Sequence, residues 1–66
     1  MRKISIEELY ERDNGICGIC KKRVTRKELA LGMANRDHII PVSDGGGNQN
    51  SNLRLAHYVC NIKRGN

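Results

Sequence analysis

Two short ligand pairs, Cys17-Gly18-Ile19-Cys20 near the start and His57-Tyr58-Val59-Cys60 near the end, constrain this 66-residue chain more than any other feature. Each pair leaves two residues between its ligands, the spacing at which a turn aims both side chains at one ion, and Gly18 relieves crowding where the backbone turns. Together they make a tetrahedral Cys3His set, for which zinc is the natural occupant. All four positions would be filled by protein, so this ion is expected to be structural. The competing reading is a pair of redox thiols with an unrelated His57 and Cys60; the second half-site and the lack of a surrounding βαβ pattern weigh against it. An odd number of cysteines, Cys17, Cys20 and Cys60, also argues against a closed disulfide framework and suits metal binding in a reducing compartment. A staple is needed at this size, because a single small core rarely supplies more than about 3–5 kcal/mol. The absence of Phe and Trp leaves few large groups to bury.

Between the half-sites the chain is punctuated. Ser5 followed by Glu8 has capping-box spacing, Ile6, Leu9 and Tyr10 fall on one helical face, and Asn14-Gly15 is a stop, so a short packing helix is expected over about residues 5–14. Thr25 and Glu28 repeat the capping-box spacing and allow one helical turn from Arg26 to Ala30. Met33 to Ile40 reads as a strand, and Leu53-Arg54-Leu55 as a short strand returning beside it. Between these strands the run from Pro41 to Ser51, rich in Gly, Asn and Ser, is expected to form a long loop without regular structure, the kind that in a small domain usually carries function. From about Ala56 to Arg64 the pattern turns helical and ends at Gly65. That helix would set His57 and Cys60 on one face toward zinc and aim Asn61 about 100° further round, with Arg64 sharing the Asn61 face.

Inside the first strand lies the pair Asp37-His38. A carboxylate for a metal beside an imidazole for a proton is what phosphodiester hydrolysis needs at neutral pH. Seen alone, the two could equally be a buried hydrogen-bonded pair beside a strand. In a regular strand they would point to opposite faces, so the strand is expected to bend or end there, as Pro41 and the following loop permit.

Charge adds a partner class. Lys and Arg outnumber Asp and Glu by 12 to 7, a net charge of +5 on a very small surface, which favours an anionic partner. The densest cluster, Lys21-Lys22-Arg23 with Arg26-Lys27, fits a solvated knuckle tip and a phosphate-contacting surface equally well. The first residues lack the apolar run of a signal peptide and no stretch approaches the roughly 20 apolar residues of a membrane span, so a soluble, cytoplasmic protein with no membrane partner is expected.

The assembled blocks resemble the HNH endonuclease family: Cys17-x-x-Cys20, then Asp37-His38-Ile39-Ile40-Pro41-x-Ser43-x-Gly45-Gly46, then Asn52-Leu53-x-Leu55, then His57-x-x-Cys60-Asn61, closed by Arg64-Gly65. The resemblance implies a small α+β fold in one domain over residues 1–66. Its ββα-metal core would span about residues 33–65, stapled by structural zinc and preceded by the N-terminal helix. It implies further that Asp37 and Asn61 hold a catalytic Mg²⁺ or Mn²⁺, and that His38 is the general base. Asn52 would hold the loop and orient His38, and Arg64, Lys63 and Arg36 would contact phosphates. The implied reaction is hydrolysis of DNA, double-stranded by expectation, to 5′-phosphate and 3′-hydroxyl ends. Nicking needs one copy of the site, and double-strand cleavage would take two visits or a homodimer on DNA. Three positions depart from the family pattern: Asn61 replaces a His but still offers a ligand atom, His57 replaces a Cys, and Arg64 replaces a Lys. The alternative is a non-catalytic zinc-stapled nucleic-acid-binding module.

Overall fold

Ser5 and Thr25 each open a helix by the same reciprocal device. The Ser5 hydroxyl accepts from the Glu8 N–H at 3.1 Å and Glu8 Oε1 accepts from the Ser5 N–H at 3.0 Å, which starts α1, Ile6–Arg12. Thr25 and Glu28 do the same at 3.0 and 2.8 Å and start α2, Arg26–Ala30. The computed structural model describes residues 3–64. Both helices are too short to persist alone and depend on packing. α1 is capped at Asp13, after which Asn14 (φ 57°) and Gly15 (φ 66°) take left-handed backbone, so the expected stop operates and the helix is shorter than its forecast span.

The two strands are β1, Ala34–His38, and β2, Leu53–His57, antiparallel in a two-stranded sheet with Ala34 opposite His57 and His38 opposite Leu53. A two-stranded sheet is marginal by itself. It is covered by α1 and by the last helix, α3, Tyr58–Arg64. The core is one cluster of Leu9, Tyr10, Cys17, Val24, Leu55 and Ala56 with Ala34, and the first zinc-type half-site is part of it through Cys17. Antiparallel strands joined by a long loop and followed by a helix make this a small α+β, ββα architecture.

Three boundaries differ from expectation. β1 stops at His38, two residues before the forecast end, and both Asp37 and His38 stay in the ladder, opposite Arg54 and Leu53, so the expected bend does not fall between them. The second strand runs on through Ala56 and His57, because its ladder continues to Ala34 and the Tyr58 N–H then donates to the Met33 carbonyl at 2.8 Å. His57 is therefore the last residue of a strand and not part of the helix. Finally, the loop holds two single 3-10 turns, Val42–Asp44 and Asn50–Asn52, where irregular chain was expected. The forecast helix stop at Gly65 lies outside the described residues. No helix among the described residues is long and apolar enough to cross a membrane.

α1 is tied to β2 by Arg12 and Asp13. Arg12 donates to the carbonyls of Asn50 (3.0 Å) and Leu53 (2.5 Å) and to Asp13 Oδ1 (2.8 Å), while Asp13 Oδ2 accepts from the Leu55 N–H at 2.8 Å. Burial pushes the Asp13 carboxyl up, but the Arg12 guanidinium and the Leu55 N–H more than reverse this and hold it below its ordinary 3.8. A lowered folded-state pKa means stability that is present above the unfolded value and lost as pH falls through the folded one. At neutral pH, where the metal ligands are deprotonated and this contribution is fully present, wild type should therefore be more stable than Asp13→Asn. Paired denaturant titrations of the two zinc-loaded proteins at neutral pH check this; equal midpoints would remove Asp13 from the brace.

Candidate functional site

Cys17, Cys20, His57 and Cys60 converge, their ligand atoms all lying within 4.8 Å of one another. The knuckle between the first two is shaped by its own backbone. Cys17 N–H donates to the Lys22 carbonyl and Lys21 N–H to the Cys17 carbonyl, with Lys21 in left-handed backbone at φ 66° and Ile16 bridged to Arg23. Cys17 Sγ accepts from the N–H groups of Ile19 (3.4 Å), Cys20 (3.5 Å) and His57 (3.4 Å). Burial pushes the Cys17 thiol up, yet these donors more than reverse it, to about 6, which favours the thiolate that metals bind. Burial and the neighbouring Cys20 and Cys17 sulfurs take Cys60 the other way, to about 11.

His57 resolves which of its nitrogens faces the ion. Nδ1 lies 3.4 Å from Cys20 Sγ and 3.8 Å from Cys60 Sγ, whereas Nε2 donates to the Arg23 carbonyl at 3.2 Å, with Glu28 Oε1 at 3.6 Å. A ligand imidazole with its other N–H held by an outer oxygen is the usual arrangement in metal sites. The strand-to-helix junction achieves the same convergence that a continuous helix would have given. This Cys3His group is competent to hold a metal such as zinc.

A second polar centre forms where β1 ends. Asp37 is buried, and its Oδ2 accepts from Arg54 Nε at 2.7 Å and from Arg64 Nη1 at 2.6 Å. Its Oδ1 is buried without a partner, and so is Oδ1 of Asn61; these are the two such side-chain atoms among the described residues. Asn61 precedes Arg64 by three residues in α3, on the same helical face. A buried oxygen with no donor is costly and calls for an explanation, of which a bound cation is one.

His38, half-buried, stands beside Asp37 with its Nε2 2.8 Å from Asn48 Oδ1. An amide oxygen can only accept, so in this contact Nε2 is the donor and Nδ1 is the ring nitrogen left outside it. Asn52 touches loop backbone instead of the imidazole. Its Oδ1 accepts from Ile40 N–H (3.0 Å) and its Nδ2 donates to the carbonyls of Ile40 (3.1 Å) and Gly47 (2.8 Å). Asn52 thus bonds to loop backbone, whereas the residue on the His38 ring is Asn48, which sequence reasoning missed. Gly46 closes the same loop, since a Cβ there would fall 1.8 Å from the Ile40 carbonyl oxygen. Arg54, facing Asp37 across the ladder, was also missed; the strand register alone would have found it.

The three forecast phosphate contacts are placed differently. Lys63 is exposed on α3. Arg36 is exposed on β1 and donates to the Ile4 carbonyl at 3.1 Å. Arg64 is the most constrained, bonded to Asp37 and also to the carbonyls of His38 (3.2 Å) and Ile39 (2.9 Å). Of the basic cluster, Arg26 pairs with Glu11 at 3.1 Å and stacks over Tyr10, while Lys21, Lys22, Arg23 and Lys27 are exposed.

The family model described as HNH endonuclease matches residues 17–66, which takes in both half-sites, the Asp37-His38 pair, the loop and α3. No curated protein and no solved structure matches the chain.

Proposed function

The chain belongs to the HNH endonuclease family, and from that premise we propose that it is a metal-dependent endonuclease that hydrolyses DNA phosphodiester bonds to 5′-phosphate and 3′-hydroxyl ends. The observation that carries this reading is the pair of unsatisfied buried oxygens, Asp37 Oδ1 and Asn61 Oδ1, on two elements that Arg64 joins. A carboxylate and an amide carbonyl are hard oxygen donors, so they suit Mg²⁺ or Mn²⁺, whereas the Cys3His group suits zinc. When bound, the hard ion would offset negative charge developing on phosphate and on the leaving 3′ oxygen.

The protein's own residues do the rest. His38 takes a proton at Nδ1 from the attacking water as the new P–O bond forms and the bond to O3′ breaks, and a solvent water gives O3′ the proton that makes it the 3′-hydroxyl. Asn48, by holding Nε2–H, keeps that tautomer in place. Asn52 fixes the loop that carries Asn48, through its bonds to Ile40 and Gly47. Lys63 and Arg36, and Arg64 beside Asp37, supply positive charge for the flanking phosphates. Zinc bound by Cys17, Cys20, His57 and Cys60 would hold the knuckle and α3 together and would take no part in the reaction.

Supercoiled plasmid incubated with the protein in Mg²⁺, in Mn²⁺ and in EDTA tests the reading. Open-circle or linear product is expected with either ion and none with EDTA. The order in which the two products appear separates nicking from paired cutting. Asn61→Ala should shift the divalent-ion titration to at least about tenfold higher concentration, since losing even a partner of a metal ligand costs roughly that much. An unchanged titration would take Asn61 out of the ligand set. Retarded DNA migration without any cleavage would replace the nuclease by the non-catalytic binding module.

A further inference from the structure

Asp37 has one oxygen occupied twice and the other not at all, and the residue that enforces this comes from the opposite strand. Arg54 stands directly across the ladder from Asp37, so the two side chains share a sheet face, and Arg54 Nε donates to Oδ2 at 2.7 Å. Arg64 reaches the same oxygen from α3. With both guanidinium groups on Oδ2, the carboxylate is held with Oδ1 turned to the orphan side.

The stem of Arg54 lies on the metal knuckle. A Cβ built on Gly18 would fall 2.4 Å from Arg54 Cδ, 3.0 Å from Cγ and 3.1 Å from Nε. Gly18 does not adopt left-handed backbone, so the space taken by Arg54 is what demands glycine there. The knuckle is also registered against β2, because the Gly18 N–H donates to the carbonyl of Leu55, the next residue after Arg54, at 2.7 Å. Gly18, Arg54 and Asp37 thus form a contiguous path from the Cys3His group to the carboxylate.

We propose that Arg54 is a positioning residue: seated on Gly18 of the knuckle, it orients Asp37 so that Oδ1 faces the divalent ion, and the order of the knuckle thereby sets divalent-ion affinity. This rests on Asp37 being a ligand, as proposed above. A purely electrostatic role makes the opposite forecast, since removing a positive charge beside a cation site tightens cation binding. Loss of positioning weakens it.

The test is Mn²⁺ affinity of the zinc-loaded full chain without DNA, read from the electron paramagnetic resonance signal of free Mn²⁺. Arg54→Met, which keeps a linear stem and removes the donor, is expected to bind Mn²⁺ about tenfold more weakly, the order seen when partners of metal ligands are lost. Gly18→Ala changes no charge and displaces Arg54; it is expected to keep its zinc and its far-ultraviolet circular dichroism and to show a similar weakening. The double variant should be no weaker than Arg54→Met alone, because both substitutions break one path. Unchanged or tighter Mn²⁺ binding by Arg54→Met overturns the proposal, whether or not Gly18→Ala folds. Additive losses in the double variant overturn the path through Gly18. Asp37→Asn is the separate control: if it binds Mn²⁺ as wild type does, the ligand assignment beneath the proposal fails first.

Discussion

Cys20→Ala is expected to abolish the folded state at room temperature, with loss of the far-ultraviolet circular dichroism and of bound zinc together. The choice of cysteine matters. Cys17 is fully buried in the apolar cluster, so its removal would mix a cavity with a lost ligand. Cys20 is exposed and outside that cluster, so truncating it costs no core packing. Whatever stability disappears was supplied through the ion. The amounts decide the outcome: a core this small rarely supplies more than about 3–5 kcal/mol and its balance against chain entropy usually comes out near zero, whereas structural zinc binding in comparable small domains contributes about 10–16 kcal/mol at neutral pH. The core's own members make the same point, because two of them, Ala34 and Ala56, offer very little area to bury. A strong chelator added to wild type should reproduce the loss, and zinc should restore the wild-type spectrum but not that of the variant. A Cys20→Ala protein that remains folded and metal-free would show that α1, the sheet and α3 hold themselves together, and the zinc assignment would then lose its structural purpose.

The parts of the fold legible in the sequence were those written in local chemistry. Ser5/Glu8 and Thr25/Glu28 announced both capping boxes, and Asn14-Gly15 announced the left-handed stop, because each motif satisfies its backbone groups within a few residues. The half-sites were legible for a related reason, since ligand spacing is fixed by the ion and not by the rest of the fold. What misled was His57-x-x-Cys60. A three-residue offset fits one helix face, yet the backbone at His57 is held extended by its ladder partner Ala34, and the ligand angle is reached at a strand-to-helix junction instead. Long-range pairing outweighed local pattern there.

The same division runs through the candidate site. Asp37 and His38 stood out by type and order, and Asn52 and Asn61 through the family resemblance. Arg54 and Asn48 did not stand out, because their roles exist only after folding. Arg54 matters through a register that sets it opposite Asp37, and Asn48 through a loop path that returns it to the His38 ring. Arg12 and Asp13 were silent for the same reason, joining α1 to Asn50, Leu53 and Leu55 some forty positions away. Side chains that satisfy distant backbone carry no periodicity to read.

His38→Ala is expected to lower plasmid cleavage by about 10²–10⁴-fold, the range that a positioned general base supplies, while zinc content, circular dichroism and DNA binding stay at wild-type levels. The structural half of this forecast follows from where the ring sits. His38 is half-buried at the end of β1, lies outside the apolar cluster, and its ring bonds to Asn48 in a loop already fixed by Asn52 and Gly46. Truncation should therefore spare the fold. The chemical half follows from the tautomer. With Nε2–H donated to an acceptor-only amide oxygen, Nδ1 is the nitrogen left to take the proton from water, and alanine removes that acceptor without touching Asp37 or Asn61. The loss should consequently fall on kcat with little change in KM, as for a group that acts only when the proton moves. Equal cleavage by variant and wild type would end the base assignment. A loss confined to KM would make His38 a substrate contact, leaving the proton to another group.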